Sequence, residues 1–387
     1  MELFTESTRR DPYPLYARLR HESPVLAVPG ANLWLLLTYD LVKRALHDHE
    51  GFSSNVAPSR GVSFQWLLFM DPPRHAKLRA IISRAFTPRS IANLEPRIRE
   101  LSCGLLDVVM DRGELDLVAD YATPLPLMVI GEMLGVPVTD WRRLARWSET
   151  IVNLGNTISG VGAEAASDAF VTADREMRDY FLQHVEARRA QHRDDLLTRL
   201  CTADVDGERL EDDELVRFCQ LLLAAGTETT TNLIDNAVLS LIEHPDALAT
   251  VHAHPELIPE MLEEVLRLRT PVQAMFRATR TAMELGGIRV PAGAFIVASI
   301  GAANRDPAQF HNPDTFDITR RPNPHVAFGH GIHFCLGAPL SRLEARIALT
   351  DLLSRFARFE LSAPSWQPRA AFHVHGPASL PLRFERR

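Results

Sequence analysis

Between Asp212-Asp213-Glu214 and Pro245 the chain carries about thirty residues rich in apolar side chains and free of proline. An acidic first turn suits the positive end of a helix dipole, and Pro245 stops the run. At 1.5 Å per residue such a helix spans ~45 Å, roughly the width of a domain this size. A helix that long and apolar is expected to be central and buried, with the rest of the chain packed round it. Its middle is nevertheless poorly suited to a helix. Ala224-Ala225-Gly226-Thr227-Glu228-Thr229-Thr230-Thr231 combines a glycine, four β-branched residues and a carboxylate. Glycine costs about 1 kcal/mol relative to alanine in a helix, and threonine is a weak former. A threonine hydroxyl can also bond the carbonyl one turn back and distort the helix. A costly cluster amid apolar residues points to a functional site. A kink that admits a neighbouring helix is the competing reading.

The second constraint is Phe328-Gly329-His330-Gly331-Ile332-His333-Phe334-Cys335-Leu336-Gly337-Ala338-Pro339, one cysteine in a glycine-punctuated loop. Gly329, Gly331 and Gly337 let the backbone take conformations closed to other residues and let something bulky lie close against it. A helix-forming run follows, so Cys335 sits near helix amides and the positive dipole end, which favour a thiolate. A lone thiolate so held can be a nucleophile, a redox thiol or the single protein ligand of a haem iron. A buried structural cysteine is the plainer alternative.

Composition narrows the field. The 387 residues are 46% hydrophobic and 24% charged, enough for a large core that could enclose a cofactor. No repeat or low-complexity linker divides them, so residues 1–387 are expected to form a single domain. With 42 Lys and Arg against 49 Asp and Glu, the net charge of −7 argues against a general nucleic-acid binder. Cys103, Cys201, Cys219 and Cys335 show no CxxC spacing, so a disulfide framework is not expected and a reducing, cytoplasmic setting fits. The first ten residues lack a signal-peptide pattern, and no stretch reaches the ~18 apolar residues of a membrane span. A soluble protein without a membrane anchor is the expectation.

Elsewhere the pattern is mainly helical with a minor β region. Residues 25–28 and 33–37 read as a hairpin through Pro29-Gly30. Residues 53–70 form a long loop with Phe64 and Trp66, and residues 155–166 a small-residue stretch suited to a flexible lid. Residues 91–134 read as two helices broken near Gly113, and residues 194–213 as an acidic turn. Asp71-Pro72-Pro73 fits a helix start that places His75 and Arg79 at i and i+4, two cationic donors suited to an anionic group. A solvated basic face explains them equally well. Pro255 to Leu268 is a further helix, in which Glu264 and Arg267 stand at i and i+3.

Taken together, Phe-Gly-x-Gly-x-His-x-Cys-x-Gly resembles the haem-binding signature of the cytochrome P450 family, the haem-thiolate monooxygenases. Ala-Gly-x-Glu-Thr-Thr at 225–230 is similar to that family's oxygen-side helix motif, and Glu264-x-x-Arg267 to its Glu-x-x-Arg. Asp-Pro-Pro-x-His-x-x-x-Arg at 71–79 matches a fourth motif. The resemblance implies haem b, iron protoporphyrin IX, lying between the long central helix and the Cys335 loop with its following helix. It makes Cys335 the axial ligand, with Phe328 and Gly329 in its loop. His75, Arg79, Arg277 and His333 become partners of the haem propionates, with Arg280 a nearby competitor for the Arg277 role. Glu228 and Thr229 become the acid and alcohol of proton delivery, and Glu264, Arg267 and Arg320 a buried brace for the cysteine loop. The substrate pocket would draw on Phe64, Trp66, Ala225, Val272, Phe276 and Val374, with Gln273, His373 and His375 as polar contacts. Two departures stand out: Glu228 where many members have Asp, and Ser341 where Ala is common, a change expected to be harmless.

The implied activity is insertion of one atom of dioxygen into a small, largely apolar organic substrate. A thiolate ligand favours O–O cleavage, and a carboxylate with a hydroxyl can relay the protons this consumes. No flavin or iron–sulfur domain fits in this chain, so electrons are expected from separate ferredoxin and ferredoxin-reductase-type proteins. Arg74, Lys77 and Arg342 are candidate docking cations on the Cys335 side. A peroxide-driven haem-thiolate enzyme would lack the acid–alcohol pair, and a non-catalytic haem sensor would not turn over. A zinc protein using Cys335 with His330 and His333 would leave the remote motifs unexplained.

Overall fold

The computed structural model describes residues 5–56, 66–154, 163–205 and 207–387. The central helix runs over Asp212–Glu243, 32 residues in unbroken α-helical geometry through the threonine cluster. A capping box starts it: the Glu211 side chain accepts from the helix backbone, and Glu214 accepts from the Glu211 N–H at 3.0 Å. Helices Pro124–Met133, Trp141–Asn153, Ala163–Ala190, Ile258–Leu268 and Ala338–Arg355 pack round it. Leu215, Leu223, Leu233, Ile234 and Leu241 are each 0% exposed, so the helix is buried along its length, as its composition demands.

The β region is minor. A five-stranded sheet has the order Val25–Ala27, Leu33–Leu36, Phe295–Ala298, Met275–Thr279, Phe52–Ser53. Leu33–Leu36 runs parallel to Phe295–Ala298, and the other neighbours are antiparallel. The hairpin read at 25–37 is therefore one edge of a larger sheet. Met275–Thr279 positions the site: its alternation buries Arg277 and Thr279, each 3% exposed, on one side and turns Phe276 to the other.

Two expectations need correction. Gly113 does break the 91–134 region, with φ +69°, but a strand, Glu114–Asp116, follows and pairs with Pro381–Arg386. Residues 194–213 are not all turn, because Asp195 caps a short helix, Leu196–Thr202, by accepting from Thr198 N at 2.8 Å. Phe64 and most of the lid stretch, residues 155–162, lie outside the described residues. Among the described residues, no helix is long and apolar enough to cross a membrane.

Candidate functional site

Gly329 and Gly331 both take φ +74°, the left-handed region that only glycine enters at little cost. A Cβ at Gly331 would lie 2.9 Å from His47 Cα, so the loop rests directly on helix Tyr39–His47. Gly337 does not share this need: its φ is −82°, and it caps helix Ala338–Arg355. The Cys335 N–H donates to the Phe328 carbonyl at 2.9 Å and closes the loop, while the Arg342 guanidinium lies 4.4 Å over the Phe328 ring.

The Cys335 thiol is pushed up by burial, against the pull of the Gly337 and Ala338 amides and of Arg79 and Arg342. The helix-start effect is present, but burial outweighs it.

Four nitrogen donors gather beside this loop. The His75 and His333 rings pack against each other, tilted by 41° with centroids 4.1 Å apart. Burial first, then Arg79, pulls His75 down to about 4. Burial, then His75, Arg277 and Arg79, pulls His333 to about 3. Both imidazoles are thus neutral at pH 7. Arg277 is 3% exposed and its side chain hydrogen-bonds only the Phe276 carbonyl, at 2.8 Å, among the described residues. Burial lowers it to about 10. Arg79 donates to the Phe334 carbonyl. The competitor Arg280 is spent elsewhere, on Asp71 at 2.7 Å. Asp71, the acid of this neighbourhood, is further held by Ser53 Oγ and by Ser54 N–H at 2.8 Å.

Among the described residues, two guanidiniums therefore lie by the loop with no carboxylate in contact, and His75 Nε2 is buried without a partner. Burying an uncompensated cation such as Arg277 is costly, so the half-exposed Arg79 and the buried Arg277 together suit an anionic group. Ser54, 2% exposed, is a member that sequence reading missed: its Oγ lies 3.0 Å from His333 Nε2.

Across from the loop, the middle of the central helix resolves into separate tasks. Gly226 serves packing, since a Cβ there would come within 2.7 Å of Ile130 Cδ1. The close approach of helix Pro124–Met133 accounts for it. Thr230 Oγ1 donates to Ser341 Oγ at 3.2 Å, so the serine that replaces the family's alanine links the two helices flanking the site. Thr231 Oγ1 donates to the Ala122 carbonyl at 2.9 Å. Ala225 and Thr229, one turn apart, are the open positions amid buried neighbours. Thr229 Oγ1 donates to the Ala225 carbonyl at 2.7 Å, which leaves the oxygen free to accept. Glu228 turns away from solvent and pairs with Arg369 Nε at 2.6 Å. Burial pushes its carboxyl up, and Arg369 pulls it back only in part. Arg369 was not predicted; a lone charge in the apolar run after Trp366 is the signal that marked it.

The brace is complete. Glu264 and Arg267, both 0% exposed, form a two-pronged pair at 2.8 and 2.7 Å, and Arg320 Nε reaches Glu264 at 3.1 Å. The adjacent Glu263 grips Arg342 at 2.6 Å and His325 at 3.0 Å, one on each side of the cysteine loop.

The pocket positions separate. Val272 and Val374 form a bridge, with Phe276 nearby in a cluster with Phe295, Phe372 and His373. Trp66 lies apart, 6% exposed, stacked on Phe69 with its Nε1 donating to Gln220 at 3.4 Å. Gln273 donates to Thr270 O at 2.8 Å, and His375 Nε2 lies 3.2 Å from Arg10 O, so each has a backbone carbonyl as one partner. The three docking cations are neutralised, Arg74 by Glu214 and Glu208, Lys77 by Glu208 and Arg342 by Glu263. The zinc alternative fails on placement. His330 packs against His47 and His333 against His75, and among the described residues no three His, Cys, Asp or Glu could hold a metal.

The chain matches the family model described as Cytochrome P450 over residues 163–257 and 252–370. It is 41% identical over 392 residues to Cytochrome P450 109 of Bacillus spizizenii, covering 99% of this chain and 94% of that protein. Among solved structures it is similar to cytochrome P450 CYP109Q5 from Chondromyces apiculatus, at 37% identity and TM-score 0.91, covering 100% and 98% of the two chains. It is also similar to CYP109E1 from Bacillus megaterium in complex with testosterone, at 37% identity and TM-score 0.87, covering 96% and 99%.

Proposed function

Because the chain belongs to the cytochrome P450 family of haem b oxidoreductases, we propose that it is a monooxygenase of one domain in which Cys335 binds the haem iron. The observation that carries this reading is the pair of guanidiniums without a carboxylate partner among the described residues, Arg79 and Arg277, beside the partly buried thiol of a glycine-shaped loop. Two cations and two neutral imidazoles fit two propionates and one metal–thiolate bond. When bound, thiolate-ligated haem supplies dioxygen activation and oxygen transfer to substrate.

The chain's own residues do the rest. Phe328 O and the Gly337 and Ala338 amides fix the sulfur. Thr229 offers a hydroxyl oxygen at the open turn of the central helix, and Glu228 behind it, paired with Arg369, is the acid that passes protons toward it. The substrate is a small, largely apolar molecule received near Ala225, Val272 and Val374. The relative solved with testosterone supports a molecule of up to steroid size. Electrons come from ferredoxin and ferredoxin-reductase-type proteins.

The test is the ferrous–carbon-monoxide difference spectrum of the haem-supplied protein. A Soret band at the thiolate position is expected; a band at the shorter wavelength of a neutral ligand sinks the assignment of Cys335.

Two further outcomes follow. Arg277→Leu is expected to stabilise the apoprotein and to weaken haem retention roughly 10–100-fold, the range for partners that orient a bound metal group. Haem transfer to a scavenger protein measures this, and unchanged retention removes Arg277 from the cradle. Thr229→Ala and Glu228→Gln should each lower product formation ~10²-fold or more while electron consumption continues. Product yield per electron consumed, with surrogate donors, is the readout. Full yield in both variants ends the acid–alcohol assignment.

A further inference from the structure

Asp235 lies on the central helix at i+7 from Glu228 and i+3 from Asn232, on one face. It is 0% exposed, and neither carboxylate oxygen has a hydrogen-bond partner among the described residues. Aspartate is a weak helix former, and a buried one with no donor is costly in any element. Neither the fold nor the assigned site explains it.

The groups around it supply the reason. Among the described residues Arg369 is the cation acting on Asp235, while Glu228 and Asp116 add negative charge and Glu149 adds it at Glu228. Arg369 Nε is held between Glu228 Oε1 at 2.6 Å and Asn232 Oδ1 at 2.9 Å. Asp116, on strand Glu114–Asp116, accepts from Ser379 Oγ and from the Val118 and Leu380 N–H groups, so it is satisfied as an anion. One guanidinium thus serves two buried carboxyls. With both ionised the group carries a net negative charge in a dry interior; with one proton it is neutral. Such coupled acids hold a proton jointly. Glu228 has the cation in contact and Asp235 has none, so the proton rests on Asp235.

We propose that Glu228, Arg369 and Asp235 form one buried unit that stores a single exchangeable proton on Asp235 and releases it through Glu228 toward Thr229. This rests on the reading of Glu228 as the delivering acid. Asp235 stands two turns from Glu228, about 10 Å along the helix, so the internal step needs a carrier such as a water molecule: the O–H bond of Asp235 breaks as one forms on the carrier, and the carrier gives up a proton of its own to form one on Glu228. The net charge does not change. Once Glu228 gives its proton to the site, the unit carries one negative charge until a proton from solvent restores it. Burial pushes Asp235 well above the ordinary carboxylate range, in agreement.

Infrared spectra of the haem-loaded protein with carbonyl-labelled aspartate test the store directly. A protonated-carboxyl band that shifts on labelling, moves in heavy water and disappears in Asp235→Asn is expected. Glu344, a second buried acid without a partner, is kept out by labelling aspartate alone. Arg369→Gln, with labelled glutamate, should add a second protonated band as Glu228 takes up a proton. A wild type without the aspartate band overturns the proposal.

Stability gives an independent reading. A raised folded pKa contributes stability that is whole below the unfolded value, about 3.9, and is lost as pH rises through the folded value. Asparagine has no such loss. The unfolding constant of wild type over Asp235→Asn should therefore grow about tenfold per pH unit above roughly pH 4; a flat ratio contradicts the store. Product yield separates the two assignments. A fall in Glu228→Gln alone defeats the role of Asp235 and spares Glu228. A fall in neither defeats both.

Discussion

Replacing Cys335 by serine is expected to abolish oxygenation and to move the ferrous–carbon-monoxide band from the thiolate position to shorter wavelength. The two effects have one cause. In the folded chain the thiol is pushed up by burial, and the Gly337 and Ala338 amides with Arg79 and Arg342 recover only part of that cost. A bound haem iron would supply the remainder by taking the place of the proton. A serine hydroxyl ionises far less readily than a thiol, so the same environment cannot hold it as an anionic ligand, and the electron donation that favours O–O cleavage is lost. Cofactor binding should suffer less than chemistry, because His75, Arg79, Arg277 and His333 are untouched. The Cys335 N–H bond to Phe328 O is also kept, so the loop should retain its shape. Haem content, the band position and product formation are measured on one preparation. A serine variant that keeps the thiolate band excludes Cys335 as ligand.

What the sequence made legible was local. The Cys335 loop, the i, i+4 pair His75 and Arg79, the Glu264-x-x-Arg267 turn and the central helix each lie within one stretch whose spacing carries the chemistry. What stayed hidden depends on contacts between distant segments. Ser54 meets His333 across 279 positions, and Arg369 meets Asn232 across 137. Asp235 looked like any polar residue of a helix until burial and its missing donors set it apart. Strand Glu114–Asp116 is three residues long, too short for alternation to show, and its partner lies at the far end of the chain. The threonine cluster was read as one functional site, whereas packing accounts for Gly226 and helix-to-helix bonding for Thr230 and Thr231. The docking cations Arg74, Lys77 and Arg342 each carry an acid partner that periodicity does not reveal, because it places a charge on a surface but not the acid opposite it.

The largest stability effect is expected at Glu264. This one carboxylate, 1% exposed at its side chain, faces two guanidiniums, Arg267 at 0% and Arg320 at 10%. It also accepts from Asp317 N–H at 3.0 Å and from Asn323 at 3.2 Å. The outer faces of the arginines are satisfied by carbonyls: Arg267 donates to Asn304, Pro313 and Thr315, and Arg320 to His311. Glu264→Gln keeps the shape and removes the anion, leaving two buried cations opposed only by dipoles. Breaking a buried ion network in this way costs about 3–5 kcal/mol, a third or more of the stability of an average domain. The half-exposed pair of Glu263 and Arg342 sets the contrast, since Arg342→Ala should cost about 1 kcal/mol or less. Urea unfolding of the haem-loaded protein orders the variants: Glu264→Gln and Arg267→Ala far below wild type, Arg342→Ala near it. The network holds residues 304–323, and Asn304 Oδ1 accepts from Val326 N at 2.9 Å just before the loop. The thiolate spectrum of Glu264→Gln should therefore be lost at lower urea, together with the fold. If Glu264→Gln unfolds at the wild-type midpoint, the dipoles alone suffice and the carboxylate does not brace the loop.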